Sequence, residues 1–158
     1  MDEFAFARVL HVLGVVLWIG GVAMVTTILL PAAAETAPTP ERVAFFSRIE
    51  RRFAAQARFT TVLVGLSGFY MVHVLNAWSR FAEIRFWWMH AMVLVWLIFT
   101  LVLFVVEPFM LRRQKKNTER DSKKVFARRQ RLHWVLLSLS LLATAGAVAG
   151  SHGWMLHS

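Results

Sequence analysis

The sequence predicts an all-α integral membrane protein, a four-helix transmembrane bundle, and three observations carry that prediction. The chain of 158 residues is 58% hydrophobic with a mean hydropathy of +0.54, whereas about half of a soluble domain's residues are apolar. Its apolar residues gather into four stretches, near Phe6 to Leu30, Phe59 to Trp78, Phe86 to Met110 and Leu132 to Gly150. Each matches the roughly 20 residues a helix needs to cross a hydrocarbon core. Most of the 18 Lys and Arg lie in the segments between them.

The first stretch is followed by Ala32, Ala33 and Ala34, small residues of the kind found after a secretory leader. Its apolar run exceeds the roughly 7 to 15 residues of such leaders, so it is expected to be a span of the mature protein. Thr39 then offers a cap and Pro40 suits a first helical turn. Val43, Phe46, Ile49 and Phe53 recur at helical spacing opposite Arg42, Arg48, Arg51 and Arg52, which predicts an interfacial helix over 40–53 that runs on into the second span. The third span is expected to stop at Glu107 and Pro108, because proline lacks the backbone donor and restricts the residue before it. The fourth follows a basic loop over 111–131. One domain over 1–158 accounts for the whole chain, with no internal repeat.

The net charge of +9 raises nucleic acid as a partner, but its distribution points to topology instead. Ten Lys and Arg fall between Leu111 and Leu132 and four between Arg42 and Arg52, against two in the loop from Trp78 to Phe86. The positive-inside rule therefore puts the first and third loops in the cytoplasm and both termini on the outer, periplasmic side of a bacterial inner membrane. The basic loop anchors that topology and attracts anionic lipid.

The absence of cysteine excludes disulfides, thiolate metal sites and covalent haem attachment. Hydrolytic motifs are absent as well, and Glu107, the one carboxylate placed within a span, is expected to form a salt bridge at a helix end. Histidine is what remains. With each helix rising about 1.5 Å per residue, His11, His73, His90 and His152 all fall in the outer half of the bundle, one per span, whereas His133 and His157 fall at its margins. Ionisable groups within spans are costly and mark sites, so the four are the candidate metal ligands. His11 shares a helical stripe with Gly14, Trp18 and Gly21, and His152 shares one with Ala149, Ala145, Leu141 and Ser138. Such stripes allow close helix packing or room for a flat ligand. With Tyr70 and the neighbouring aromatic residues, Gly14, Trp18, Gly21 and Ala145 are the candidate lining of a cofactor pocket, while Trp residues near span ends are expected as interfacial anchors.

A resemblance points the same way. The segment "LHVLGVVLWIGGVAM" resembles the first helix of the CopD-type copper-resistance membrane domain, and the His11-x6-Trp18 pattern is similar to the opening of the HemJ-type protoporphyrinogen oxidases. The segment "RIERRFAAQARFTTVLVGLSGFYMV" also resembles one that precedes the second helix of the latter. The HemJ-like resemblance implies a haem-bearing enzyme acting on a porphyrinogen, although His90 stands where that family has a lysine. The CopD-like one implies copper handling, for which Met71, Met89, Met92 and Met155 are available near the histidines.

The leading expectation is a haem b protein acting in electron transfer, with His11 and His90 as the favoured axial pair and a quinone or redox protein as partner. Copper transport, the HemJ-like oxidation and a non-catalytic role in a homo-oligomer or larger membrane complex are the alternatives.

Overall fold

The computed structural model describes residues 2–35, 40–109 and 122–153. The basic segment 110–121 and the tail with Trp154, Met155 and His157 lie outside the described residues. The described chain is helical and contains no strand. Four stretches are long and apolar enough to cross a membrane: Glu3–Ala34, Arg48–Val74, Ile84–Phe109 and Gln130–Ser151. Only 22–33% of each apolar stretch is buried against protein. The remaining faces, carrying residues such as Phe6, Leu17, Leu66, Leu97 and Leu142, are exposed and have lipid as their natural solvent. The chain is a multi-pass membrane protein.

The interfacial helix and the second span are one helix, Pro40–Val74. That helix stops four residues short of the expected end at Trp78. Asn76 takes a left-handed backbone (φ 48°), which asparagine tolerates better than most residues. The Ala77 N–H reaches the Val72 carbonyl and the Asn76 N–H the His73 carbonyl, so the last carbonyls are closed off. Two short 3-10 turns, Trp78–Ala82 and Ile84–Phe86, then lead into the third span. The fourth helix, Ser122–Ser151, begins well before the expected Leu132.

The first span packs most heavily on the second and the third on the fourth, with lighter contact between first and fourth and between second and third. The bundle is therefore two helix hairpins laid side by side. Trp18 and Phe99 meet edge to face at its centre, ring centroids 4.7 Å apart, packed with Val22, Val64, Val95, Leu136, Leu137 and Ala143 from all four spans. Nearer the termini, Phe86, Trp88 and Met89 form a second cluster with Phe81, Trp87 and Met92. We call this the aromatic end, and the end bearing the basic segments the basic end.

Proline shapes the basic end. In the first span a five-residue π turn, Val25–Leu29, immediately precedes Leu30 and Pro31; in the third, Val102–Val106 precedes Glu107 and Pro108. The mechanism is shared. Proline has no N–H to give the preceding turn, and its ring crowds the carbonyl four residues back. The helix widens instead: the Leu30 N–H bonds the Val25 carbonyl and the Glu107 N–H the Val102 carbonyl, each five residues back.

Buried hydroxyls are largely satisfied within their own helices. Thr26 bonds Val22, Thr60 bonds Gln56, Ser67 bonds Leu63 and Ser140 bonds Leu136, in each case through a carbonyl four residues back. The glycines admit large side chains. A Cβ on Gly65 would lie 2.6 Å from the Trp96 ring, whose Nε1 donates to the Thr61 carbonyl. Gly20 has open space around it. Gly65→Ala is accordingly expected to displace Trp96 and cost about 1–3 kcal/mol, read as a lowered thermal midpoint in detergent, with Gly20→Ala leaving the midpoint unchanged or slightly raised.

Candidate functional site

The four candidate histidines sit in four different settings. His11, half-buried, lies between the first two spans. Its Nδ1 is 3.0 Å from the Val64 carbonyl and 3.2 Å from Ser67 Oγ. Because a carbonyl only accepts, Nδ1 carries the proton and Nε2 keeps the lone pair. The ring also lies over Gly68, where a Cβ would be 3.1 Å from its Cε1. Three consecutive features of the second span thus fix one imidazole in position and tautomer.

His90 is engaged on both sides. Nδ1 faces the Phe86 carbonyl at 3.2 Å and Nε2 the Phe81 carbonyl at 3.0 Å, with the Phe81 ring edge-on to it. The ring lies between the 78–86 connection and the start of the third span, and a neutral imidazole donates to one of these two carbonyls. His152 is exposed, with Nδ1 2.8 Å from the Val148 carbonyl. His73 is exposed at the end of the second span. Among the described residues no three His, Asp or Glu side chains come together as a metal site.

The expected pocket lining is likewise dispersed. Gly14 is covered by Val64 and Leu63, and Gly21 by Phe53. On the fourth span, Trp87 covers Gly146 and Trp88 covers Gly150, while Ala145 is exposed. Tyr70 is exposed too, its hydroxyl donating to Glu3 at 3.1 Å. Trp18 faces the bundle core, 4% exposed, and its indole N–H has no acceptor among the described residues. The faces of Gly14, Gly21, Gly146 and Gly150 therefore receive the protein's own side chains. The donor set does fit a ligand taken by His11 alone. Met89 and Met92 pack into the aromatic cluster, the gap-filling role common for methionine.

Residues 13–119 match a family described as a domain of unknown function, DUF4149. The chain belongs to that family. No curated protein and no solved structure matches it. The DUF4149 match takes in Gly14, Trp18, Gly21, Tyr70, His73 and His90, and ends before Ala145 and His152; His11 lies two residues ahead of it.

A second polar group lies at the basic end of this DUF4149 protein, and the sequence signals only part of it. Glu107 was expected in a salt bridge, and its partner is Arg58, at 3.3 Å. Arg58 also donates through Nε to the Leu103 carbonyl at 3.3 Å, within the third-span π turn. The first-span π turn is treated alike: Gln130 Nε2 donates to the Thr26 carbonyl at 3.0 Å. Pro31, inside an otherwise apolar run, was the available signal; Gln130 had none, since glutamine beside a basic segment looks like a solvated residue.

His11 clamps the first span to the second, so His11→Ala is expected to lower the stability of the detergent-solubilised protein by about 1 kcal/mol. His73→Ala, at an exposed position, should change it by less than about 0.5 kcal/mol. Thermal melts of the two variants, followed by circular dichroism, check the difference.

Proposed function

We propose that this protein binds a b-type haem in the outer half of the membrane through His11 and serves in electron transfer. The single observation that supports the reading is the His11 imidazole itself. A ring whose Nδ1–H is held by a backbone carbonyl, with Nε2 left as a lone-pair donor, is the arrangement that orients histidine ligands in metal and haem sites. Ser67 adds a second acceptor for the same proton, and the Gly68 notch limits rotation of the ring.

In this reading the chain contributes binding and orientation. His11 would supply the ligand nitrogen, Val64 and Ser67 would set its direction, and the exposed apolar side chains of the first two spans would offer a dry surface for a porphyrin ring. The haem, when bound, supplies the one-electron chemistry. His90, whose ring nitrogens lie 3.2 Å from the Phe86 carbonyl and 3.0 Å from the Phe81 carbonyl, would have to turn from them to serve as a second ligand. Basic segments in the cytoplasm of a bacterial inner membrane, by the positive-inside rule, put His11 toward the periplasmic side, where a quinone or redox protein is the natural partner. Copper is the weaker alternative, since Met89 and Met92 are packed against aromatic rings.

Protein purified in mild detergent from haem-sufficient cells is expected to show a sharp α band on dithionite reduction and haem b by pyridine haemochrome. His11→Ala should abolish the band, Ser67→Ala should shift or weaken it, and His73→Ala should leave it unchanged. A colourless wild-type protein, or a band that survives His11→Ala, overturns the proposal and leaves His11 as a clamp between helices.

A further inference from the structure

The two π turns stand at the same end of the bundle, and each has a carbonyl held by a donor from the other hairpin. Thr26, in the first hairpin, receives Gln130 from the second; Leu103, in the second, receives Arg58 from the first. Arg58 also pairs with Glu107, next to Pro108. These bonds therefore cross between the two hairpins, which pack on each other more lightly than the spans within each hairpin do. A widened turn beside a proline is also where a helix bends most readily.

Behind them lies polar surface that the lipid-facing exterior lacks. Thr26, Thr60 and Thr61 are at most 1% exposed. Thr61 Oγ1 and Gln130 Oε1 are buried without a hydrogen-bond partner among the described residues. A buried polar atom within a membrane bundle is costly unless water or another polar group reaches it.

We propose that the two hairpins part at the basic end, bending at the π turns of the first and third spans, and that Gln130 and Arg58 are the latches that hold it closed. Parting admits water, or a small uncharged hydrogen-bonding solute, from the basic side to the hydroxyls of Thr26, Thr60 and Thr61. The aromatic end stays shut, because the 78–86 connection joins the hairpins there, Trp96 of the third span packs on Gly65 and Phe69 of the second, and Val72 packs against the Phe86, Trp88 and Met89 cluster. The proposal is independent of whether His11 carries haem.

The absence of cysteine makes the test direct. Spin labels on Arg48→Cys and Arg128→Cys, both exposed, report the separation of the hairpins at the basic end; labels on Ala5→Cys and Ser151→Cys, also exposed, report the aromatic end. Pulsed electron–electron distance measurements on the full chain in lipid nanodiscs are expected to gain a longer-distance population at the basic end in Arg58→Gln and in Gln130→Leu, with no change at the aromatic end. In parallel, a lone Thr60→Cys should react with a water-soluble thiol reagent on the order of tenfold faster in Arg58→Gln and several-fold faster in Gln130→Leu, the scales set by loss of a charged and of a neutral hydrogen bond. Where Arg58→Gln disturbs both label pairs by misfolding, Gln130→Leu decides, since it leaves the ion pair in place. Unchanged basic-end distances in folded variants overturn the proposal. Equal change at both ends in both variants overturns it as well, by making these bonds general packing.

Discussion

A helix in lipid has no water to satisfy a backbone group it leaves unpaired, so each span must close its own hydrogen bonds or borrow a donor from a neighbour. Pro31 and Pro108 break that closure near the basic end of the first and third spans. The helix responds twice. It widens into a π turn, which pairs the N–H just ahead of the proline with a carbonyl five residues back. It also takes a side-chain donor from across the bundle, Gln130 for Thr26 and Arg58 for Leu103. The same constraint explains why the buried hydroxyls bond back to their own helices, and why a guanidinium and a carboxylate meet at the margin of the spans.

The two ends of the bundle have different chemistry for this reason. At the aromatic end the connection is closed by packing: Trp78 stacks on Phe69, Arg80 and Arg85 lie over the Phe86 ring, and the His90 ring sits between the Phe81 and Phe86 carbonyls. At the basic end, polar bonds between hairpins take that role. Large aromatic surfaces hold helices together over a broad area, whereas single hydrogen bonds break and re-form with little rearrangement. The imidazole of His11 lies between these regimes, a polar group held by the second span within an otherwise apolar half of the protein.

Much of the fold was legible in the sequence. Four apolar stretches of sufficient length, the helical phase of Val43, Phe46, Ile49 and Phe53 running on into the second span, and the Glu107 salt bridge all had local signals. The end of the second span did not, because one left-handed Asn76 outweighed the apolar residues beyond it. The candidate site was legible only residue by residue. His11 had a pattern, but depth alone placed His73, His90 and His152 beside it, and depth says nothing about which way a side chain turns.

The sequence by itself determined that this chain crosses a membrane, and where, because span length and hydropathy are set by bilayer thickness and are local properties of the chain. It also marked, at Pro108, where the third span loses a backbone donor. Only the tertiary structure decided the rotation of each helix, and with it that Trp87, Trp88, Val64 and Phe53 fill the glycine faces, that His90 turns to the outer connection, and that Arg58 and Gln130 reach across the hairpins. The physical reason is that lipid is as apolar as the bundle core. Nearly every face of a span is hydrophobic, so the pattern that fixes rotation in a soluble helix is missing, and side-chain fit between neighbours settles it instead.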